Sequence, residues 1–153
     1  MKKIVLKIGI AVVLIGLLTF TYVWFKPHRN VANTTANEEV TVEQLTARFT
    51  KDAVEANNHF LSNDGNSKIL LIHGIVNKTF QNAKGEPIVF MKAANQETGV
   101  QATFFPEDSL LISRLKKGDA IRLKGVIIAG NQYDSVLDFH EPALLVQCTI
   151  TNN

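Results

Sequence analysis

The amino-acid sequence predicts a mainly β fold, a small five-stranded barrel behind a helical lead-in, and three features carry that prediction. Residues 68–80 (KILLIHGIVNKTF) form a run rich in Ile, Leu and Val that Gly74 interrupts once. It is too long for an ordinary strand, whose usual length is about 5 to 6 residues. Glycine inside a strand marks a bulge or a barrel corner, because only a residue without Cβ takes the required backbone angles or lets a neighbour come close. Such a strand bends and can serve both halves of a closed sheet. Residues 120–128 (AIRLKGVII) repeat the design around Gly125, and a short helix signal separates them from the preceding strand.

Length and charge set the bounds. With 153 residues there is room for one domain and an appendage. Five of the 16 basic residues, Lys2, Lys3, Lys7, Lys26 and Arg29, flank the apolar N-terminal run, which leaves 11 against 14 acidic residues and a net charge of −3 beyond Arg29. Nucleic-acid binders usually present a basic surface, since phosphate neutralisation supplies most of their non-specific affinity, so this balance counts against that role. Cys148 is the only cysteine, which rules out an intramolecular disulfide and a thiolate metal cage. Its setting, LLVQCTI, is that of a small buried hydrophobe.

The chain opens with an apolar run, residues 8–25, that begins at Ile8, ends at Phe25 and carries no charge over 18 residues. As a helix it would measure about 27 Å, near the hydrocarbon thickness of a bilayer. Lys2, Lys3 and Lys7 precede it, Tyr22, Trp24 and Phe25 form an interfacial aromatic belt, and Lys26 and Arg29 follow. The heavier positive charge on the N-terminal side predicts a cytoplasmic N-terminus and an outward C-terminal domain. A cleaved signal peptide is the competing reading, but Trp24, Phe25, Lys26 and Pro27 stand where a small-x-small site would be. Residues 1–26 are therefore read as a single-pass transmembrane anchor whose partner is the lipid bilayer.

Residues 27–40 lack apolar periodicity and are rich in Asn, Thr and Ala, the composition of a flexible tether. The domain proper spans residues 41–153, its barrel about 68–149. Thr41 with Gln44 makes a capping box, and Val42, Leu45 and Phe49 fall at helical spacing. Thr50 is expected to cap a second helix over 51–61, and the turn formers of residues 62–67 (SNDGNS) end it. After the long strand, Lys84-Gly85 turns the chain into a second strand over 87–93, with Pro87 at its start where a missing N–H does least harm. Residues 100–105 (VQATFF) alternate as the third strand. Asp108 or Ser109 caps a helix over 110–115, Lys117-Gly118-Asp119 turns into the fourth strand, and a fifth lies within 136–149, interrupted at Pro142.

Three strands, a short helix and two more strands is the order of the OB-type barrel. The segments HGIVNKTF, GVQATFF and LKKGDAIRLKG, with Ala56-Asn57 in the preceding helix, resemble the tRNA-anticodon-like OB-fold family of small bacterial envelope proteins. The resemblance covers about residues 41–149, and its most specific piece joins Lys117-Gly118-Asp119 to Leu123-Lys124-Gly125. It implies the OB fold far more firmly than an activity. It also implies a bacterial cytoplasmic (inner) membrane for the anchor, with the barrel periplasmic or extracellular.

No catalytic constellation is legible. His28, His59, His73 and His140 show no metal-ligand spacing on one element, and HEXXH, CXXC, GXSXG, P-loop and GXGXXG patterns are absent. His140-Glu141 comes nearest to a site and reads more simply as an exposed strand end. No cofactor is expected, and the chain is read as a non-enzyme. OB barrels bind on the face of strands two and three, flanked by the first and last interstrand loops. Those positions are Phe80, Gln81, Lys84, Lys92, Gln101, Thr103, Phe105, Asn131, Gln132 and Tyr133. Phe105 and Tyr133 could stack on a base or sugar, and Lys84, Lys92, Arg122 and Lys124 could meet an anion. The bland reading fills the barrel with the phenylalanines and leaves the lysines solvated. The expected function is a membrane-anchored binding or interaction module for a protein or envelope component, with an oligonucleotide-binding domain as the alternative.

Overall fold

The computed structural model describes residues 15–16, 31–93, 96 and 98–151. The expected anchor, residues 8–25, falls outside the described residues apart from Ile15 and Gly16; among the described residues no helix is long and apolar enough to cross a membrane. The chain divides into units 1–30 and 31–153, and the second holds the barrel.

Its elements run β1 Glu38–Thr41, α1 Val42–Lys51, α2 Ala53–Phe60, β2 Ile69–Gln81, β3 Pro87–Met91, β4 Val100–Phe104, a 3-10 turn Pro106–Asp108 leading into α3 Ser109–Ile112, β5 Ala120–Ala129, β6 Gln132–Asp134, β7 Phe139–Glu141 and β8 Ala143–Ile150. The sheet order β2-β3-β4-β8-β5 closes on itself because β2 also pairs with β5. This is the expected five-stranded barrel with a short helix between its third and fourth strands. A two-stranded hairpin, β6–β7, rises from the connection between the last two barrel strands.

One strand, β2, makes closure work. Its first half, Ile69 to Ile75, lies against β5, and its second half, Val76 to Gln81, lies against β3. Val76 is the pivot, donating to Asp119 O at 2.9 Å and accepting from Gly118 N at 2.8 Å. The bulge expected at Gly74 sits instead beyond it, where the β2–β3 register shifts between Val76 and Lys78. Gly74 serves close approach: a Cβ there would stand 2.6 Å from Val42 Cγ2 and 2.8 Å from Met91 Sδ. At Gly125 both expectations coincide, since the β5–β8 register shifts between Lys124 and Val126 and a Cβ would meet Cys148 Sγ at 2.6 Å. The last strand starts after Pro142 and carries a bulge with no glycine to announce it. The β4–β8 register slips between Ala102 and Phe104, and Gln147 there has φ 53°, a left-handed backbone that disfavours a side chain.

The lead-in plugs the barrel. The capping box forms as expected, with Thr41 N donating to Gln44 Oε1 at 3.0 Å and Gln44 N to Thr41 Oγ1 at 3.2 Å. The cap of α2 is Asp52, which accepts from Glu55 N at 2.9 Å, and not Thr50, whose hydroxyl turns back to Thr46 O. Val42, Leu45, Phe49 and Phe60 enter the same core as Leu70, Ile72, Met91, Phe104, Leu123 and Leu145. Burying one such side chain contributes roughly 1.5–3 kcal/mol.

The tether ends earlier than its composition suggests. Val31 is 3% exposed, packed with Ile69 and Val126, and Asn37 pairs with Ile69 through two hydrogen bonds of 2.8 Å. β1 then runs parallel to β2, with Glu38 opposite Leu70 and Thr41 opposite His73. These contacts use backbone groups, the Asn37 amide and one small apolar side chain, which leave no periodic pattern in a four-residue strand. Glu38 ties the elements together, with Arg48 Nη1 at 2.6 Å, His59 Nε2 at 2.8 Å and Lys68 Nζ at 3.5 Å. Burial works to raise its carboxyl pKa, but the hydrogen bonds of His59 and Arg48 and their charge outweigh it and hold it below the ordinary value.

Two outcomes are expected. A Cβ at residue 130 would lie 1.9 Å from Phe49 Cε1, so Gly130→Ala must push the ring out of the core. The loss is about 1–3 kcal/mol, several degrees in Tm; a variant melting with the wild type would show slack between helix and barrel. Because the folded-state pKa of Glu38 is depressed, its contribution is present above the unfolded-state value and disappears as pH falls through the folded one. Glu38→Gln is therefore expected to melt below wild type at neutral pH, with the gap closing in acid. A gap of constant size would disprove this assignment.

Candidate functional site

The outer wall of β2, β3 and β4 is built by strand alternation. Val89, Met91, Ala102 and Phe104 point into the core, at most 2% exposed, so the half-buried Phe90, Gln101 and Thr103 point outward, as does Ile88, which its neighbours cover to 3% exposure. After the bulge, Lys78 pairs with Phe90, which pairs with Gln101; Phe80 pairs with Ile88, which pairs with Thr103. The result is two cross-strand rows on one surface. Lys78 Nζ lies 5.3 Å from the Phe80 ring centre and 5.5 Å from that of Phe90, so one ammonium rests on two aromatic faces. Phe80 and Phe105 are each 40% exposed.

Of the residues expected at the site, Phe80, Gln101 and Thr103 share this wall. Lys84 and Phe105 lie at one end of it. Lys84 is in the β2–β3 turn that Asn82 Oδ1 shapes by accepting from Lys84 N at 2.9 Å and Glu86 N at 3.0 Å; Phe105 directly follows β4. Burial and then the Glu107 charge raise the Asp108 carboxyl pKa beside that end. Gln81 closes β2, and Lys92 follows β3 at the opposite end.

Arg122 and Lys124 do not join them. Both project from β5 beside His73 and Leu71, on the side that residues 31–41 cover. Arg122 Nη2 donates to Glu39 Oε1 at 3.2 Å, and His73 Nε2 lies 2.6 Å from the same oxygen. Lys124 Nζ donates to Ala32 O at 2.7 Å and Thr34 O at 2.8 Å. Their charges hold the lead-in and are turned away from the wall. Tyr133 and Gln132 belong to the β6–β7 hairpin, where Tyr133 OH donates to Asp138 Oδ1 at 2.7 Å. Asn131 is buried and braces the hairpin base, its Nδ2 donating to Thr98 Oγ1 at 3.0 Å and Gly99 O at 2.8 Å.

Lys78 and Phe90 escaped the sequence reading. The clue was Lys78-Thr79-Phe80, which puts Lys78 and Phe80 on one strand face, and the register shift between Val76 and Lys78 turns that face outward.

Charge is sorted by element. Residues 78–92 carry Lys78, Lys84 and Lys92 against Glu86, a net of +2, while Lys68, just before β2, is held by Glu38 of the lead-in. The lead-in, residues 31–67, carries Arg48 and Lys51 against six acidic residues, a net of −4. Residues 129–151 have Asp134, Asp138 and Glu141 and no Lys or Arg. Most of the acidity of the domain therefore lies in the lead-in and the hairpin, with Glu86, Glu107 and Asp108 at one end of the wall. Among the described residues no cluster of His, Cys, Asp and Glu could hold a metal ion. Cys148 is fully buried, and desolvation pushes its thiol pKa far up, which suppresses the thiolate.

Comparison with known proteins follows from this geometry. The family model tRNA_anti-like matches residues 1–138. A lipoprotein of Klebsiella pneumoniae subsp. pneumoniae that has been proposed to bind nucleic acid superposes with a TM-score of 0.56 at 16% identity, over 82% of this chain and 99% of its own. At that identity the likeness is one of fold. A protein assigned provisionally as an aspartyl-tRNA synthetase of Leishmania major matches with a TM-score of 0.46 at 10% identity, over 81% of this chain and 22% of its own. No curated protein matches the sequence.

Proposed function

The chain belongs to the tRNA_anti-like family, and on that premise we propose that it is a non-enzymatic OB-type binding module whose ligand lies on the β2–β3–β4 wall. The observation that carries this reading is Lys78 seated between the exposed ring of Phe80 and the half-buried ring of Phe90. A sheet face offering aromatic planes and a cation suits a flexible strand that alternates planar rings with negative charge, that is, single-stranded oligonucleotide. The net of +2 over residues 78–92 answers part of the objection raised by the acidic domain as a whole. A structural relative proposed to bind nucleic acid supports the same choice.

A protein or envelope component is the second reading. It is favoured by the net charge of −3 beyond Arg29 and by the apolar side chains that the β6–β7 hairpin exposes, Val136 at 89% and Leu137 at 72%. For either ligand, we propose that residues 8–25 anchor the chain once in a bacterial inner membrane, N-terminus inside and barrel outside. The support is the uncharged 18-residue run with its heavier N-terminal positive charge.

Fluorescence anisotropy of labelled oligothymidylate with the full chain in detergent tests the first reading. Binding is expected to weaken with salt, Phe80→Ala to cost about 1–3 kcal/mol, and Lys78→Ala to reduce the salt slope by about 0.7. Absence of binding at low salt, or indifference to both substitutions, would hand the wall to the protein reading. A periplasm-active reporter fused after Asn153 is expected to be active; silence would refute the outward orientation.

A further inference from the structure

Away from the wall, a groove of about 540 Å³ opens between the lead-in helices and the base of the β6–β7 hairpin. Phe49 and Asn57 line it from the helices, and Asn131, Tyr133, His140 and Glu141 from the hairpin side. The Tyr133 and His140 rings stand 4.8 Å apart, and Tyr133 is 51% exposed, so an aromatic plane is offered to a visitor. Asn131 is 9% exposed, and its amide is oriented without ambiguity, because Nδ2 donates to Gly99 O and Thr98 Oγ1. Its Oδ1 is buried with no hydrogen-bond partner among the described residues. A buried acceptor left so calls for an N–H or O–H donor.

The charge around the groove selects among donors. Asp134, Asp138 and Glu141 lie on or beside the hairpin strands, residues 129–151 contain no Lys or Arg, and His140 is the sole titratable nitrogen in the lining. Lys51 does not line it, although it borders the adjoining groove that shares Thr50, Thr98 and His140. A phosphate is therefore disfavoured, and a cation with several donors and a flat face is favoured. We infer that this groove is a docking site for the guanidinium of an arginine on a protein partner. The plane stacks on the Tyr133–His140 pair, one N–H meets Asn131 Oδ1, and the acidic hairpin supplies the counter-charge. Guanidinium fits these demands better than ammonium, being planar, weakly hydrated and supplied with five donors. The apolar hairpin residues Val136, Leu137 and Phe139 would then meet the flanking partner surface. The site is independent of what occupies the wall.

The test is a side-chain and backbone amide NMR titration of the full chain in detergent with N-acetyl-arginine amide, its lysine counterpart and its neutral citrulline isostere. Saturable shifts are expected at Asn131 and Tyr133 with arginine, and binding about tenfold weaker with citrulline. Tyr133→Ala, at a position 51% exposed, is expected to weaken arginine about threefold, and Tyr133→Phe, which keeps the ring, to leave it unchanged. Citrulline or lysine binding as tightly as arginine would overturn the assignment, as would the absence of saturable shifts. Displacement of arginine by oligothymidylate would overturn it too, by giving the groove to nucleic acid.

Discussion

The barrel depends on one strand being shared by two neighbours. β2 hands its backbone from β5 to β3 at Val76, and no other element links the two halves in this way. A strand can do so only by bending sharply, which brings the first residue of α1 and the last residue of β3 against its concave side. Gly74 provides that room, with Val42 and Met91 filling the volume a Cβ would take. Closure, seating of the lead-in and aim of the binding wall therefore share one local cause. The bulge that follows the hinge decides which side chains of β2 face outward, and so places Lys78 and Phe80 beside Phe90.

The same packing explains why the charges are divided. Residues 31–41 lie along the outer side of the β2–β5 pair, held by Lys124 to backbone carbonyls and by Arg122 and His73 to Glu39. Cations that would otherwise extend the basic wall are spent on this strap. What is left splits into a lysine and phenylalanine surface and an acidic, apolar-tipped hairpin, two surfaces of different chemistry on one small domain. That division suits a module meeting two kinds of partner better than one with a single groove.

Much of the fold was legible because its signals are local. The two glycine-broken strands, the Thr41–Gln44 cap, the alternation of residues 100–104 and the short helix before β5 each follow from a few neighbouring residues. The candidate site was legible only in part. Gln101 and Thr103 were found because strand parity puts them on the side opposite Ala102 and Phe104, and Phe80 because it ends the long strand beside the first interstrand loop. Arg122 and Lys124 were misplaced because parity says which way a side chain points and not what lies over it. Lys78 was missed because a single-residue register shift inverts parity, and nothing in the residues around Asn77 announces one.

By itself, then, the chain determined its element order, its helix caps, the interior of its strands and an uncharged N-terminal run, all properties of side chains within a turn or two of one another. Tertiary structure alone decided where β2 changes partner, that Gln147 takes a left-handed bulge, that residues 31–41 are docked, and which lysines are free to meet a ligand. Those outcomes rest on hydrogen bonds and contacts between segments 30 to 90 residues apart, such as Asn37 with Ile69 and Lys124 with Ala32. Each of these bonds joins a side chain to a backbone group of a distant segment, and since every residue carries the same backbone, the partner leaves no mark in the order of the side chains.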